Sequence, residues 1–239
     1  MSARSIAHAP SQRRCRACQH ELDFIFADLG EQPVANDLIE NKSKLGLEPR
    51  YPLRVACCRS CRLVQIADDL PADRLFREDY VYQSSISSSF VEHARQHVEE
   101  LIRDHGLNAQ HHVVEIASND GYLLQFFIKA GIRVTGIEPA ASVAEIARER
   151  HGIPTLECFF NAEEAQRLIR EIDHADIILA NNVLAHVPDL FDFLKGVKTL
   201  LKKKRRRHLR ISASSETLGR PPIRYDLSRT LFLSLALGA

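Results

Sequence analysis

Four of the six cysteines fall into two pairs of identical spacing, Cys15-Arg-Ala-Cys18 and Cys58-Arg-Ser-Cys61. A C-x-x-C pair can put two thiolates on one tetrahedral ion, and two such pairs complete a four-sulfur shell. That closed donor set suits a structural zinc ion. Arg14, Arg16, Arg59 and Arg62 flank the sulfurs and would offset their negative charge. The plainer alternative is two unrelated pairs of buried thiols, and zinc is the favoured reading. A redox pair fits less well, because neither pair sits at a strand-to-helix turn. Cys57 could stand in for Cys58, but its spacing to Cys61 is one residue too long. Cys158 reads as a core residue on a strand. A domain this small needs a metal staple.

A second constellation lies between Val113 and Asp189. An apolar run, VVEIA, ends in the polar turn Ala117-Ser118-Asn119-Asp120-Gly121, and the next apolar run ends in Glu138. Further on, ADIILA leads into an Asn-Asn-x-x-x-His loop, Asn181 to His186. An α/β sheet presents a nucleotide-like cofactor in this way, at the carboxyl ends of its strands. Glu138 lies about 20 residues past the first turn, where an acid can take both ribose hydroxyls. The turn holds one glycine, whereas a pyrophosphate needs closely approaching glycine backbone. That argues against NAD or FAD and for S-adenosylmethionine, which has no phosphates. The alternatives are a solvated strand-end acid at Glu138 and a satisfied core histidine at His186.

These residues need elements to hold them. Strands are expected at Val113–Ala117, Arg133–Ile137, Thr155–Phe159 and Ala175–Leu179. Helices are expected over Gly121–Ala130, Ala140–Arg150, Ala162–Ile172 and from Pro188 to about Leu201. Alternation with short links gives an α/β protein with a parallel sheet covered on both faces. Upstream, Phe90, Ala94, Val98, Leu101 and Ile102 follow a helical period that Gly106 ends. Before that helix, DYVYQSSISSSF is rich in tyrosine and hydroxyl groups, and Tyr80 and Tyr82 face the same way on an extended chain. A solvated linker with a helix cap is the plain reading of that segment. The 239 residues carry a net charge of +1, no apolar run of membrane-span length and no secretory leader. A cytoplasmic protein with reduced thiols is expected.

The ordered motifs CRAC, LGEQPVAND, YPLRVACCRSCRLVQ, DYVYQSSISSSF, VVEIASNDGYLLQ, GIEPA and NNVLAHVPD resemble the sugar C-methyltransferases, from about Cys15 to Lys202. The resemblance implies zinc on Cys15, Cys18, Cys58 and Cys61. It implies a Rossmann-like class I methyltransferase sheet binding S-adenosylmethionine through Glu115, Ser118, Asn119, Gly121 and Glu138, with Asn182 nearby. Tyr80 and Tyr82 match the family's active-site tyrosine segment, and His186 a loop beside the sugar. The implied substrate is a nucleotide-linked ketosugar, deprotonated beside its carbonyl to an enolate that takes the methyl group. The implied domains are 13–75 for zinc, 76–106 for the tyrosine linker and helix, and 107–202 for the cofactor. Arg62 stands where the family commonly has glycine.

The family's Tyr-His-Glu-His base motif is missing. After Leu201 the chain reads KKKRRRHLRISASSETLGRPPIRYDLSRTLFLSLALGA. The plain reading of residues 203–239 is a basic, disordered tail that binds nucleic acid or an acidic partner, and the rival function is a non-catalytic zinc module whose tail binds nucleic acid. The sharper reading is a shifted frame. Permitted codons for Ile223–Thr230, read from their second nucleotide, spell FDTIYHEH, and those for Leu209–Ser215 spell FEFPHLL. Adenine-rich codons at Lys202–Lys204 are the natural place for the slip. On this reading the catalytic base is lost, activity is not expected, nucleic acid is no partner, and the sheet is left incomplete. Its fifth strand would be gone and its fourth an open edge.

Overall fold

The computed structural model describes residues 14–68, 70, 72–77 and 80–202, and the backbone of 208–212. They divide into two compact units. The first runs to Tyr82 and includes Val187–Phe191; the second takes Gln83–His186 and the chain from Asp192 onward. The division falls inside the 76–106 stretch expected to link two domains.

The first unit is a three-stranded antiparallel sheet in sequence order: β1 (Ile25–Pro33), β2 (Arg50–Cys57) and β3 (Val64–Ile66). A short helix, α1 (Ala72–Leu75), follows. Apolar burial is sparse here. Phe26 is 69 % exposed and Leu47 77 %, while the buried apolar residues of the sheet region are Cys15, Ala56, Cys58 and Ala67. Polar ties bridge the sheet instead. The Arg54 guanidinium grips the Asp68 carboxylate, and the Arg54 backbone N–H donates to the same group at 3.2 Å. A core this thin is the physical reason for a metal staple.

The second unit opens with α2 (Ser88–His105). Ser87 caps it by accepting from the Phe90 N–H at 3.3 Å, and Gly106 ends it in the left-handed region. Then come β4 (His112–Ile116), α3 (Leu124–Lys129), β5 (Arg133–Ile137), α4 (Ala141–His151), β6 (Thr155–Leu156), α5 (Ala162–Ile172), β7 (Ile177–Asn181), α6 (Leu190–Leu200) and β8 (His208–Ser212). The sheet is parallel, in the order β6-β5-β4-β7-β8. Successive strands step one way from β4 to β6, then the other way from β7 to β8. Right-handed crossovers therefore place helices on both faces. The reversal falls between β4 and β7, and sheets of this kind bind ligands at the carboxyl ends of the strands flanking such a reversal. The core packs Val98 and Leu101 of α2 and Leu124 and Phe127 of α3 with Val113, Leu179 and Ile153.

Two expectations are corrected. The third strand stops at Leu156, so Cys158 sits in a bend, half-buried, rather than on a core strand. β5 offers that edge strand partners only at Gly136 and Ile137. The fifth strand is not lost: His208–Ser212 pairs with β7 in parallel from Ile177↔His208 to Asn181↔Ser212. Ladder hydrogen bonds use main-chain groups, and an apolar edge such as β7 favours any segment able to supply them. Residues 203–207 and 213–239, the rest of the stretch read as a possible shifted frame, lie outside the described residues.

Gly196 of α6 provides a test of the packing. A methyl group there would lie 2.7 Å from the carbonyl oxygen of Asn161, which already accepts the Ala165 N–H at 3.0 Å. In an isolated helix Gly→Ala gains about 1 kcal/mol. Here the obstruction is backbone, so Gly196→Ala is expected to lose about 1–3 kcal/mol. Urea denaturation of the variant checks this, and a stabilised variant would disprove the close approach of α6 to the α5 cap.

Candidate functional site

The two cysteine pairs form matched knuckles. Cys15 N–H donates to His20 O at 2.8 Å and Gln19 N–H to Cys15 O at 2.9 Å; Cys58 N–H donates to Leu63 O and Arg62 N–H to Cys58 O, both at 2.9 Å. Gln19 and Arg62, each four residues past the first cysteine, share the left-handed conformation, with φ of 60° and 66°. That conformation accounts for the glycine expected at Arg62. The four Sγ atoms lie within 4.8 Å of one another, with Cys15–Cys61 and Cys18–Cys58 at 3.5 Å. Four ligands about 2.3 Å from one zinc ion sit at about these separations. The Cys61 N–H pulls the Cys58 thiol down to about 6. Four thiolates this close repel one another unless a cation sits among them, so the donor set fits zinc.

The second constellation is built by the turn between β4 and α3. Ala117, Asn119 and Gly121 all take left-handed φ, at 55°, 50° and 79°. With these reversals Asn119 N–H donates to Glu138 Oε2 at 2.9 Å, and Ala140 N–H donates to Glu138 Oε1 at 3.0 Å. Glu138 is 4 % exposed. Burial pushes its carboxyl up, and the two N–H donors pull against that shift. Ser118 is fully buried against Gly136 of β5, where an added methyl group would lie 2.5 Å from its Oγ. Glu115, fully buried on β4, accepts from Asn181 Nδ2 at 3.2 Å. Burial drives its carboxyl well above the usual carboxylate range, Asn181 opposes this, and Glu138 and Asp120 add to it.

Three polar atoms under this turn are buried without a hydrogen-bond partner: Glu115 Oε2, Ser118 Oγ and Asp120 Oδ1. Orphaned acceptors are costly unless a ligand supplies donors. S-adenosylmethionine carries an ammonium group and ribose hydroxyls, so the residues present fit it.

The structure thus gathers Glu115, Ser118, Asn119, Gly121 and Glu138 at the carboxyl ends of β4 and β5. Asn182 is exposed just past β7, with φ of 55°, and His186 is exposed in the following turn, its N–H donating to Val183 O at 2.8 Å. Tyr80 and Tyr82 belong to the first unit, their ring centroids 6.5 Å apart. The Asn36 amide lies 3.5 Å from the Tyr80 hydroxyl, and both line a cavity of about 270 Å³ with Asp37, Arg74 and Arg77. Asn181, Asp120 and Asn36 were given no role by the motifs. Neighbouring polar residues in one loop are not ranked by sequence; the strand register and the turn conformation decide which side chain points inward.

The parallel sheet with its acid-lined turn and the four-sulfur knuckle pair fall in two separate stretches of the chain, and each stretch matches a known family model. Residues 15–76 match the Methyltransf_13 family, described as "Putative zinc binding domain", and residues 114–204 match Methyltransf_12, "Methyltransferase domain". The C-methyltransferase NovU of Streptomyces niveus is 33% identical over 187 residues, 78% of this chain and 44% of that protein. The ubiquinone biosynthesis O-methyltransferase of Coxiella burnetii is 26% identical over 91 residues, 38% of this chain and 39% of its own. The chain therefore spans less than half the length of these curated relatives. A crystal structure of an S-adenosylmethionine-dependent methyltransferase from Anabaena variabilis matches with a TM-score of 0.41 and 22% identity, covering 49% of this chain and 50% of that one. No helix among the described residues is long and apolar enough to cross a membrane.

Two measurements test the site. Metal analysis after gentle purification should find about one zinc per chain, and Cys15→Ser or Cys61→Ser should lose it and loosen the first unit. Zinc-free protein with an intact fold would refute the metal centre. Glu115 gives a pH signature. Its folded form favours the proton, so the stability it contributes is full below the ordinary carboxylate range and is lost as pH rises through the raised value. Glu115→Gln stays neutral throughout and can still accept from Asn181. Its stability should therefore fall less than wild type as pH rises above the ordinary carboxylate range. Parallel denaturation profiles over that rise would show that Glu115 titrates normally.

Proposed function

We propose that this chain derives from an S-adenosylmethionine-dependent C-methyltransferase acting on a nucleotide-linked ketosugar in the cytoplasm. The observation that carries the reading is the single 187-residue match to a C-methyltransferase, which runs through the zinc-binding and the methyltransferase domains together. When bound, the cofactor supplies a methyl group on a positively charged sulfur. Glu138 accepts hydrogen bonds from the ribose with the lone pairs that Asn119 and Ala140 leave free, and Glu115 and Asp120 face the cofactor's donors. Tyr80, Tyr82 and His186 shape the sugar side. A base removes the proton beside the sugar carbonyl, and the enolate carbon so formed takes the methyl group.

That base belongs to the Tyr-His-Glu-His motif, which this chain carries only in the shifted reading of Ile223–Thr230. These residues lie outside the described ones. LSRT offers no side chain that is a good base near neutral pH. The proposal therefore includes a frame slip near Lys202–Lys204 and a 239-residue product that does not turn over.

Glu138→Ala should weaken binding of S-adenosylmethionine by about 1–3 kcal/mol, through lost charge-assisted hydrogen bonds. Calorimetry on the folded variant measures it, and wild-type affinity would remove Glu138 from the site. Removing one nucleotide within the lysine codons should give a protein that methylates a ketosugar when the 239-residue form does not. Equal turnover by the two forms would place the base elsewhere, and genomic sequence with no such corrected frame would end the frame argument.

A further inference from the structure

The segment just after the tyrosines has a short 3-10 turn, Ser84–Ile86, whose cap position, Gln83, makes no side-chain hydrogen bond to it. The first N–H groups of a helical turn have no partner within the turn and need a cap. Here the caps come from elsewhere in the chain. Asn119 Oδ1 accepts from the Ser84 N–H at 2.8 Å, and Asp120 Oδ2 accepts from the Ser85 N–H at 3.0 Å. Ser84 is 8 % exposed, and Asp120 is fully buried. Six residues on, the Phe90 ring stacks on Tyr122, with centroids 5.0 Å apart and planes 22° apart. Three attachments therefore join the segment 84–90 to the cofactor turn 119–122.

We propose that Asn119 and Asp120 are positioning residues: their side chains clamp the start of the tyrosine-proximal segment to the cofactor turn, so that filling the cofactor site orders that segment. The inference rests on the cofactor assignment above and goes beyond it. Asn119 connects both sides. Its N–H is fixed by Glu138, and its side chain holds Ser84. Its left-handed backbone, with φ of 50°, sends these two groups to different partners, and asparagine tolerates that conformation better than most residues. Ligand contact at Glu138 is thus one residue away from the Ser84 anchor, and Ser84 is two residues from Tyr82. Asn119 therefore acts mainly through its backbone N–H and Ser84, rather than as a direct cofactor ligand.

The test is amide hydrogen exchange on the full 239-residue chain, with S-adenosylhomocysteine as the probe. In wild type the probe should slow exchange in the turn 117–122 and also across 84–90, by about tenfold. Asn119→Gly keeps the left-handed backbone and removes the side chain; Asp120→Ala removes the other acceptor. In Asn119→Gly the probe should still slow the turn, and in both variants 84–90 exchanges about tenfold faster than wild type and no longer responds to the probe. Asp120→Asn retains an acceptor oxygen and should restore the response. Unchanged exchange in the sheet strands shows that each variant is folded. A response across 84–90 that survives both Asn119→Gly and Asp120→Ala overturns the clamp, as does a wild-type response confined to the turn. If the probe slows neither region in wild type, the cofactor assignment itself fails, and the clamp with it.

Discussion

The carboxyl end of the sheet depends on one buried carboxylate. Glu138 immediately follows β5, yet its two oxygens hold the N–H groups of Asn119 after β4 and Ala140 before α4. A carboxylate out of water is unfavourable unless donors surround it, and these two donors are backbone groups held by the strands themselves. The acid therefore locks two strand ends into one rim. The left-handed residues at 117, 119 and 121 are the conformational cost of that lock, and the single glycine among them takes the largest φ. The buried acceptors proposed for the cofactor, at Glu115, Asp120 and Glu138, sit on this rim or directly beneath it.

The alternation of strands and helices was legible because each apolar run is bounded by a clear stop. Arg133–Ile137 and Ala162–Ile172 were placed to the residue, and Gly106 caps α2 as its position suggested. Edges were less legible. The length of β6 depends on how far β5 extends beside it, and β8 on main-chain pairing that no hydrophobic pattern reports. At the site, the acid at the end of β5 could be found by its distance from the first turn. The roles of Asn119 and Asp120 could not, since their partners are backbone N–H groups 35 residues upstream. A side chain capping a distant turn leaves no local signature.

The first unit follows different physics. With few buried apolar groups, its sheet is held by the Arg54–Asp68 pair and by two knuckles of the same hydrogen-bonded design. The Asp68 carboxylate is buried under the Arg54 guanidinium, so that pair ties β2 to the chain just after β3. The sulfur shell joins the two ends of the unit, and its left-handed residues are non-glycine at both matched positions, Gln19 and Arg62.

The four sulfurs are not equivalent. Cys15 and Cys58, the first of each pair, are buried, whereas Cys18 and Cys61, the second of each, face solvent. Oxidants and competing chelators reach the second cysteine of each knuckle first, since attack on sulfur requires access. Damage at either exposed position breaks one knuckle and leaves the ion on three sulfurs, so the vulnerability of the whole unit to oxidative stress is set by two residues rather than four.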